Sequence, residues 1–250
     1  MSAKQYIYPI NLNFQMKKLQ FFILGMAGLA FGIQAGAQQL NKLTPAEKAA
    51  GWELLFDGKS MNKWRCYKMD KVQGWVIEDQ AIKALGLPDG KGGDIMTKDQ
   101  YKDFELYLEW KVGEESNSGI FFHVVEADNY ETVYMTGPEY QLLDDVGFPT
   151  SAPKHNSGAN YDVHAPKFGQ VKTLDQWNTA KIVVKGAHVE HWLNDRKVVE
   201  YEMWTPEWYE LKKNSKWNDA EGYGKYKEGS IALQDHGGTT MFRNIKIRRL

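Results

Sequence analysis

The stretch 104–112, FELYLEWKV, places Leu106, Leu108 and Trp110 on one side of an extended chain and Tyr107, Glu109 and Lys111 on the other. A repeat of two residues suits a strand and cannot line one face of a helix, whose period is 3.6. The same pattern returns at 119–126, where Ile120, Phe122 and Val124 oppose Phe121, His123 and Val125. It returns again at 138–144, where Tyr140 and Leu142 oppose Glu139, Gln141 and Leu143. From Gly51 to the C-terminus the chain reads as short strand, turn, short strand, with Glu78-Asp79-Gln80 and Asn194-Asp195 as hairpin turns. Helical signals are brief. Thr44, Pro45 and Glu47 spell a capped start, and 207–213 fits a short helix inside the polar, aromatic segment 205–227. An α/β fold would need helices between its strands. The pattern instead predicts an all-β fold, a two-sheet antiparallel β-sandwich.

With 250 residues and 42% hydrophobic content, the chain can build one sizeable core, so residues 51–250 are read as a single domain preceded by a short lead-in at 38–50. Thirty-one basic and 32 acidic residues give a net charge of -1, and no Lys/Arg cluster forms a stripe, which argues against a nucleic-acid partner. GxGxxG, P-loop and GxSxG patterns are missing. Cys66 is the single cysteine, so neither nucleotide binding nor Ser or Cys nucleophilic catalysis has its usual frame, and no internal disulfide can form.

Polar groups recur where a buried sheet face would exclude them. If the three alternating strands lie side by side, Glu109, His123, Glu139 and Gln141 converge on one face. General acid–base chemistry uses such groups, one to give a proton to a leaving atom and another to activate water or remove a proton. Glu139, Glu109 and His123 are the candidate catalytic residues. Gln141, Lys111, Gln234, His236 and, from the long irregular segment 147–170, Tyr161 are the candidate substrate-binding residues. Each has a structural alternative: a solvated sheet face for the two glutamates and a hydrogen-bonded core position for His123. No cofactor is expected. The donors would suit a divalent cation, although neither HExxH nor EF-hand spacing is present. In IALQDHGGTTMFRNIKI, alternation about a turn near Thr239 predicts an Asp235–Arg243 ion pair on the core side of a hairpin, with Gln234 and His236 facing the cleft. A bulge at Gly237-Gly238 would instead turn Asp235 into the cleft.

GWELLFDGKSMNKW, SNSGIFFH, PEYQLLDD, DQWNTAKIVVKGAHVEHWLND and GSIALQDHGGTTMFRNIKI, in this order over residues 51–250, resemble the 3-keto-disaccharide hydrolase family. The resemblance implies a concanavalin A-like jelly roll whose concave face binds carbohydrate. It also implies an enzyme that cleaves glycosides carrying a ketone at C3, by direct hydrolysis or by elimination and hydration. The contrasting reading is a lectin-like carbohydrate-binding module, since sandwiches of this kind serve both purposes.

Residues 1–37 carry a localisation signal. Met16-Lys17-Lys18, the apolar run 19–34 and Ala35-Gly36-Ala37 are the three parts of a secretory signal peptide, with residues 1–15 read as an over-extended start. The run is short of the ~20 residues a spanning helix requires, so no membrane span is expected in the mature protein, which is read as periplasmic or secreted. N-terminal sequencing of the exported protein is expected to begin near Gln38; retention of Met16 would overturn this reading.

Overall fold

Alternating segments pair into two antiparallel sheets in the computed structural model, which describes residues 39–87, 93–147, 152–168, 171–172 and 174–250. The signal-peptide reading of residues 1–37 lies outside the described residues. In chain order the strands are β1 (Glu53–Leu54), β2 (Trp64–Cys66), β3 (Trp75–Glu78), β4 (Ala81–Ala84), β5 (Ile95–Thr97), β6 (Phe104–Val112), β7 (Asn117–Val124), β8 (Glu139–Leu143), β9 (Asn178–Lys185), β10 (His188–Leu193), β11 (Arg196–Glu202), β12 (Ser230–Leu233) and β13 (Thr240–Arg249). One sheet runs β11-β10-β9-β6-β13-β4-β3, with β1 also on β13; the other runs β2-β5-β12-β7-β8. This is the predicted sandwich.

Short helices and turns fall where the sequence puts them. Thr44 caps α1 (Pro45–Ala49) with a full capping box, and Thr205 caps α2 (Pro206–Lys213). Asp79 and Gln80 both take positive φ between β3 and β4, as Asn194 and Asp195 do between β10 and β11, the conformation that two-residue hairpins with right-handed twist require.

The core is the apolar face of each sheet turned to the other. Leu106, Leu108 and Trp110 of β6 and Phe242, Ile245 and Ile247 of β13 meet Ile120 and Phe122 of β7, Tyr140 and Leu142 of β8, and Ile231 and Leu233 of β12. Phe104 and Phe122 join the two layers edge-to-face, with ring centroids 6.1 Å apart.

Register shifts interrupt the alternation among the described residues, one of them between β10 and β11 at His191–Trp192 and two at residues anticipated from sequence. Along β7, Phe121 and Val124 pair with Ala232 and Ser230, three residues against two, and His123 sits in the excess at φ 53°. Along β13, Arg243 and Lys246 pair with Glu109 and Tyr107, and Asn244 takes the extra place at φ 51°. Beyond each bulge the faces swap, so Ile245 and Ile247 enter the core although Arg243 does not.

The chain also leaves one sheet for the other between β12 and β13. The expected Asp235–Arg243 pair therefore does not form. Gly237 and Gly238, at φ 95° and 71°, turn the chain so that Asp235 lines a cleft. Arg243 instead bonds Glu109 on the adjacent strand, Nε to Oε2 at 2.7 Å.

Leu108 is fully buried at the centre of β6. Leu108→Ala is expected to cost about 2–5 kcal/mol, seen as a lower urea midpoint with unchanged slope.

Candidate active site

Strand pairing lays out the floor of the cleft on the face of the five-stranded sheet turned away from the core. Phe121 of β7 pairs with Glu139 of β8 on one side and Ala232 of β12 on the other, and Ala232 pairs with Met96 of β5. The neighbouring row is polar. Gly119 pairs with Gln141, and its carbonyl accepts the Gln234 N–H at 3.0 Å. Asp94, two residues before Met96, extends this row, and its carbonyl accepts the Tyr67 N–H at 2.9 Å. Both Glu139 and Gln141 are buried, and Asp94 is half-buried.

Gly119 holds an opening in this floor. A Cβ there would lie 2.6 Å from Glu139 Oε1 and 3.0 Å from both Glu139 Cγ and a Phe121 ring carbon. The carboxyl group of Glu139 thus lies over Gly119, in the space a side chain would fill.

One wall of the cleft comes from the segment 205–227. Trp208, Tyr223 and Trp217 stack nearly parallel, with Trp208–Tyr223 centroids at 6.3 Å and Tyr223–Trp217 centroids at 4.5 Å. Trp217 Nε1 donates to the Tyr161 carbonyl at 2.9 Å, and Tyr161 N–H donates to the Glu139 carbonyl at 3.1 Å. Lys216 projects from this wall with its ammonium 3.9 Å from the Tyr161 ring centroid and 4.3 Å from that of Trp217. The cleft has a volume of about 580 Å³ and is also lined by Asn117, Tyr134 and His236. That size falls within the ~300–1,000 Å³ common for small-molecule sites.

Electrostatics single out Glu139. Burial drives its carboxyl well above the ordinary value; the Lys216 charge opposes the rise and the Asp94 charge adds to it. Lys216 is lowered, first by burial, with Glu139 and Asp162 holding it back. Burial also raises Asp94 to about 7, against a hydrogen bond from the Asp235 N–H, whose nitrogen lies 3.1 Å from Oδ1, and with repulsion from the Asp235 carboxylate. Three oxygens of the cleft residues, Gln141 Oε1, Gln234 Oε1 and Asp235 Oδ2, are buried with no hydrogen-bond partner among the described residues. Unmatched buried acceptors are costly and recur where a ligand supplies the donors.

Of the residues anticipated from sequence, Glu139, Gln141, Gln234, His236 and Tyr161 line this one cleft. The other three lie elsewhere. Glu109 faces outward from the eight-stranded sheet, because β6 and β7 are neighbours in sequence and not in a sheet; its carboxylate is held by Arg243 Nε and Asn244 Nδ2, each at 2.7 Å. Lys111 shares that outer face, its ammonium 5.4 Å from the Trp177 ring centroid. His123 is turned by its bulge into the aromatic packing of Phe104 and Phe122, with Nε2 2.8 Å from the Lys102 carbonyl, and burial lowers its pKa. Asp94 and Lys216 were missed. The first follows the glycine-rich GKGG by one residue, and the second lies in the segment that breaks the strand pattern.

His188, Glu190 and Glu200 bring potential metal-ligand atoms within 4.8 Å of one another on β10 and β11. The Lys197 ammonium already bonds Glu190 and Glu200 at 2.9 and 2.6 Å, so a cation of the chain's own occupies the middle of that group.

Residues 51–248 match the model of the 3-keto-alpha-glucoside-1,2-lyase-like domain. The chain belongs to this family. It is 36% identical over 242 residues to a 3-keto-disaccharide hydrolase of Bacteroides thetaiotaomicron, covering 86% of this chain and 83% of that protein. Among solved structures, a candidate glycosyl hydrolase from Parabacteroides distasonis is 34% identical with a TM-score of 0.79, over 85% of this chain and all of that one. A second candidate glycosyl hydrolase from the same organism is 26% identical with a TM-score of 0.63, over 80% of this chain and 99% of that one. The match to the 3-keto-alpha-glucoside-1,2-lyase-like family includes every cleft residue named above.

Two outcomes follow from the geometry. Gly119→Ala should fold yet lose at least ~10-fold in turnover, since it displaces the Glu139 carboxyl, while Glu109→Gln should keep turnover and lower the melting temperature. A carboxyl whose pKa is raised on folding costs stability as pH rises above its unfolded value. Glu139→Gln should therefore melt with wild type at pH 4 and above it at pH 8, as scanning calorimetry would show.

Proposed function

We propose that this protein cleaves the glycosidic bond of 3-ketoglycosides outside the cytoplasm, by elimination followed by hydration, with Glu139 as the base. That it is a glycoside hydrolase-like enzyme follows from its family and its likeness to the Bacteroides 3-keto-disaccharide hydrolase. The observation that carries the mechanism is one carboxyl group, buried over Gly119 and raised by that burial to about 8. A ketone at C3 acidifies the hydrogen on C2, and a carboxylate tuned toward the working pH is suited to remove it. The electrons pass to the ketone oxygen as an enolate. The nearby Lys216 ammonium supplies positive potential in a partly dry cleft, where such potential stabilises developing charge well. As the enolate collapses back to the ketone, the C1–O bond breaks and a C1=C2 double bond forms; water then adds across it, with oxygen going to C1 and a proton to C2.

Gln141, Gln234 and Asp235 bring the unmatched acceptors that sugar hydroxyls would satisfy, and His236 stands at the mouth, its Nδ1 3.1 Å from Asn117 Nδ2. A binding module would need only a shallow aromatic platform, with no reason to sink a carboxyl beneath it. Export rests on the basic, apolar and small-residue segments of residues 16–37.

The mature protein is expected to release the aglycone from a 3-keto-glucoside and to leave the unoxidised parent intact. Glu139→Gln should retain the fold and lose ~10²-fold or more in turnover. Cleavage of both compounds alike, or activity surviving in that variant, would overturn the assignment.

A further inference from the structure

Removing the C2 proton is half of the chemistry, because the oxygen leaving C1 must also receive a proton. Lys216 is already assigned to the enolate, and His123 lies in the packing. Asp94 remains. It lines the same cleft, at the head of β5, and is separated from Glu139 by the strands that carry Gln234 and Gly119. Two strand spacings put its backbone about 10 Å from the backbone of Gly119, and both side chains reach into the space above. Contacts of ~3 Å at each end, plus the C2–C1–O unit between them, fit such a gap. Asp94 has no ion-pair partner among the described residues, and its Oδ1 accepts the Asp235 N–H.

We propose that Asp94 is a second catalytic residue, the acid that protonates the leaving oxygen and the base that later activates water. This rests on the reading of Glu139 as the C2 base. Two carboxyl groups in one partly dry cleft repel each other when both are ionised, so they favour a single proton between them. Burial raises both; at Glu139 the Lys216 charge opposes the rise and the Asp94 charge adds to it, and at Asp94 the added repulsion comes from Asp235.

The form that reacts has Glu139 ionised and Asp94 protonated, the less populated placement of the shared proton, since burial raises Glu139 further than Asp94. Glu139 takes the C2 proton, the C1–O bond breaks, and Asp94 gives its proton to the departing oxygen. The proton now rests on Glu139. In hydration, Asp94 takes a proton from water as its oxygen bonds to C1, and Glu139 returns its proton to C2. Both groups end as they began, no redox change occurs at either carboxyl, and the net reaction is hydrolysis.

The test compares two 3-keto-glucosides, one with a nitrophenolate leaving group that needs no proton and one with methanol. Asp94→Asn keeps an oxygen for the Asp235 N–H. It is expected to lose less than ~5-fold on the first substrate and at least ~10²-fold on the second, while still exchanging the C2 hydrogen in heavy water. Glu139→Gln should lose both reactions and the exchange. If Asp94→Asn falls equally on both substrates, or loses exchange while folded by circular dichroism, the proposal is overturned. Should that variant not fold, the wild-type pH profile decides: the limb at higher pH, where Asp94 loses its proton, should be present for the methyl substrate and missing for the nitrophenyl one. The same limb on both would overturn the assignment. Failure of the wild type to release nitrophenolate would refute the proposed activity itself, an outcome separate from any leaving-group effect.

Discussion

The structure depends on the fit of two apolar sheet faces with no covalent tie between them. Cys66 is the single cysteine and is buried, so no internal disulfide forms and the layers are held by packing, chiefly the aliphatic and aromatic ladder of β6 and β13 against β7, β8 and β12. Each strand that gives one face to this core has its other face committed by the pleat. On β8 this commitment raises Glu139 and Gln141 over the cleft because Tyr140 and Leu142 are buried beneath it. The site is a by-product of the core. Its acids can be held in an unfavourable, desolvated state because the surrounding packing stabilises the strand that carries them.

The burial that raises Glu139 and Asp94 is therefore a cost accepted by the fold. An exposed carboxylate would be more stable and a poorer base near neutral pH. Gly119 serves the same end from the opposite direction, giving up the packing of a side chain so that the acid of the adjacent strand has somewhere to lie. Unmatched oxygens on Gln141, Gln234 and Asp235 add to the cost.

Much of the fold was legible because period-two alternation and paired turn residues are local signals. The face of Glu139 and Gln141 was legible too, since β8 carries no bulge. What could not be read was which strands share a sheet. Glu109 was correctly placed on a polar face, but the face belongs to the other sheet. Neither could alternation be carried through a bulge. His123 and Asn244 hold positive φ, each shifts the count by one, and both residues beside which the reading failed, His123 and Arg243, lie at these points. Asp94 and Lys216 were hidden for a different reason: they reach the cleft from a glycine-rich approach and an irregular wall, where no period exists to be read.

The ring stack of Trp208, Tyr223 and Trp217 ties the wall bearing Lys216 to the loop bearing Tyr161 through the Trp217 indole N–H on the Tyr161 carbonyl, the Tyr223 hydroxyl on Asn160 and the Lys216 N–H on Asp162. The floor, by contrast, is bound into the five-stranded sheet. In the proposed reaction, acid–base chemistry and sugar fit thus reside in parts of the molecule with different tolerance for change. The stacked rings are themselves part of the main hydrophobic cluster, so changes confined to the exposed rim of the stacked segment would remodel the room offered to the departing group in that reaction while the strands of the floor keep their places.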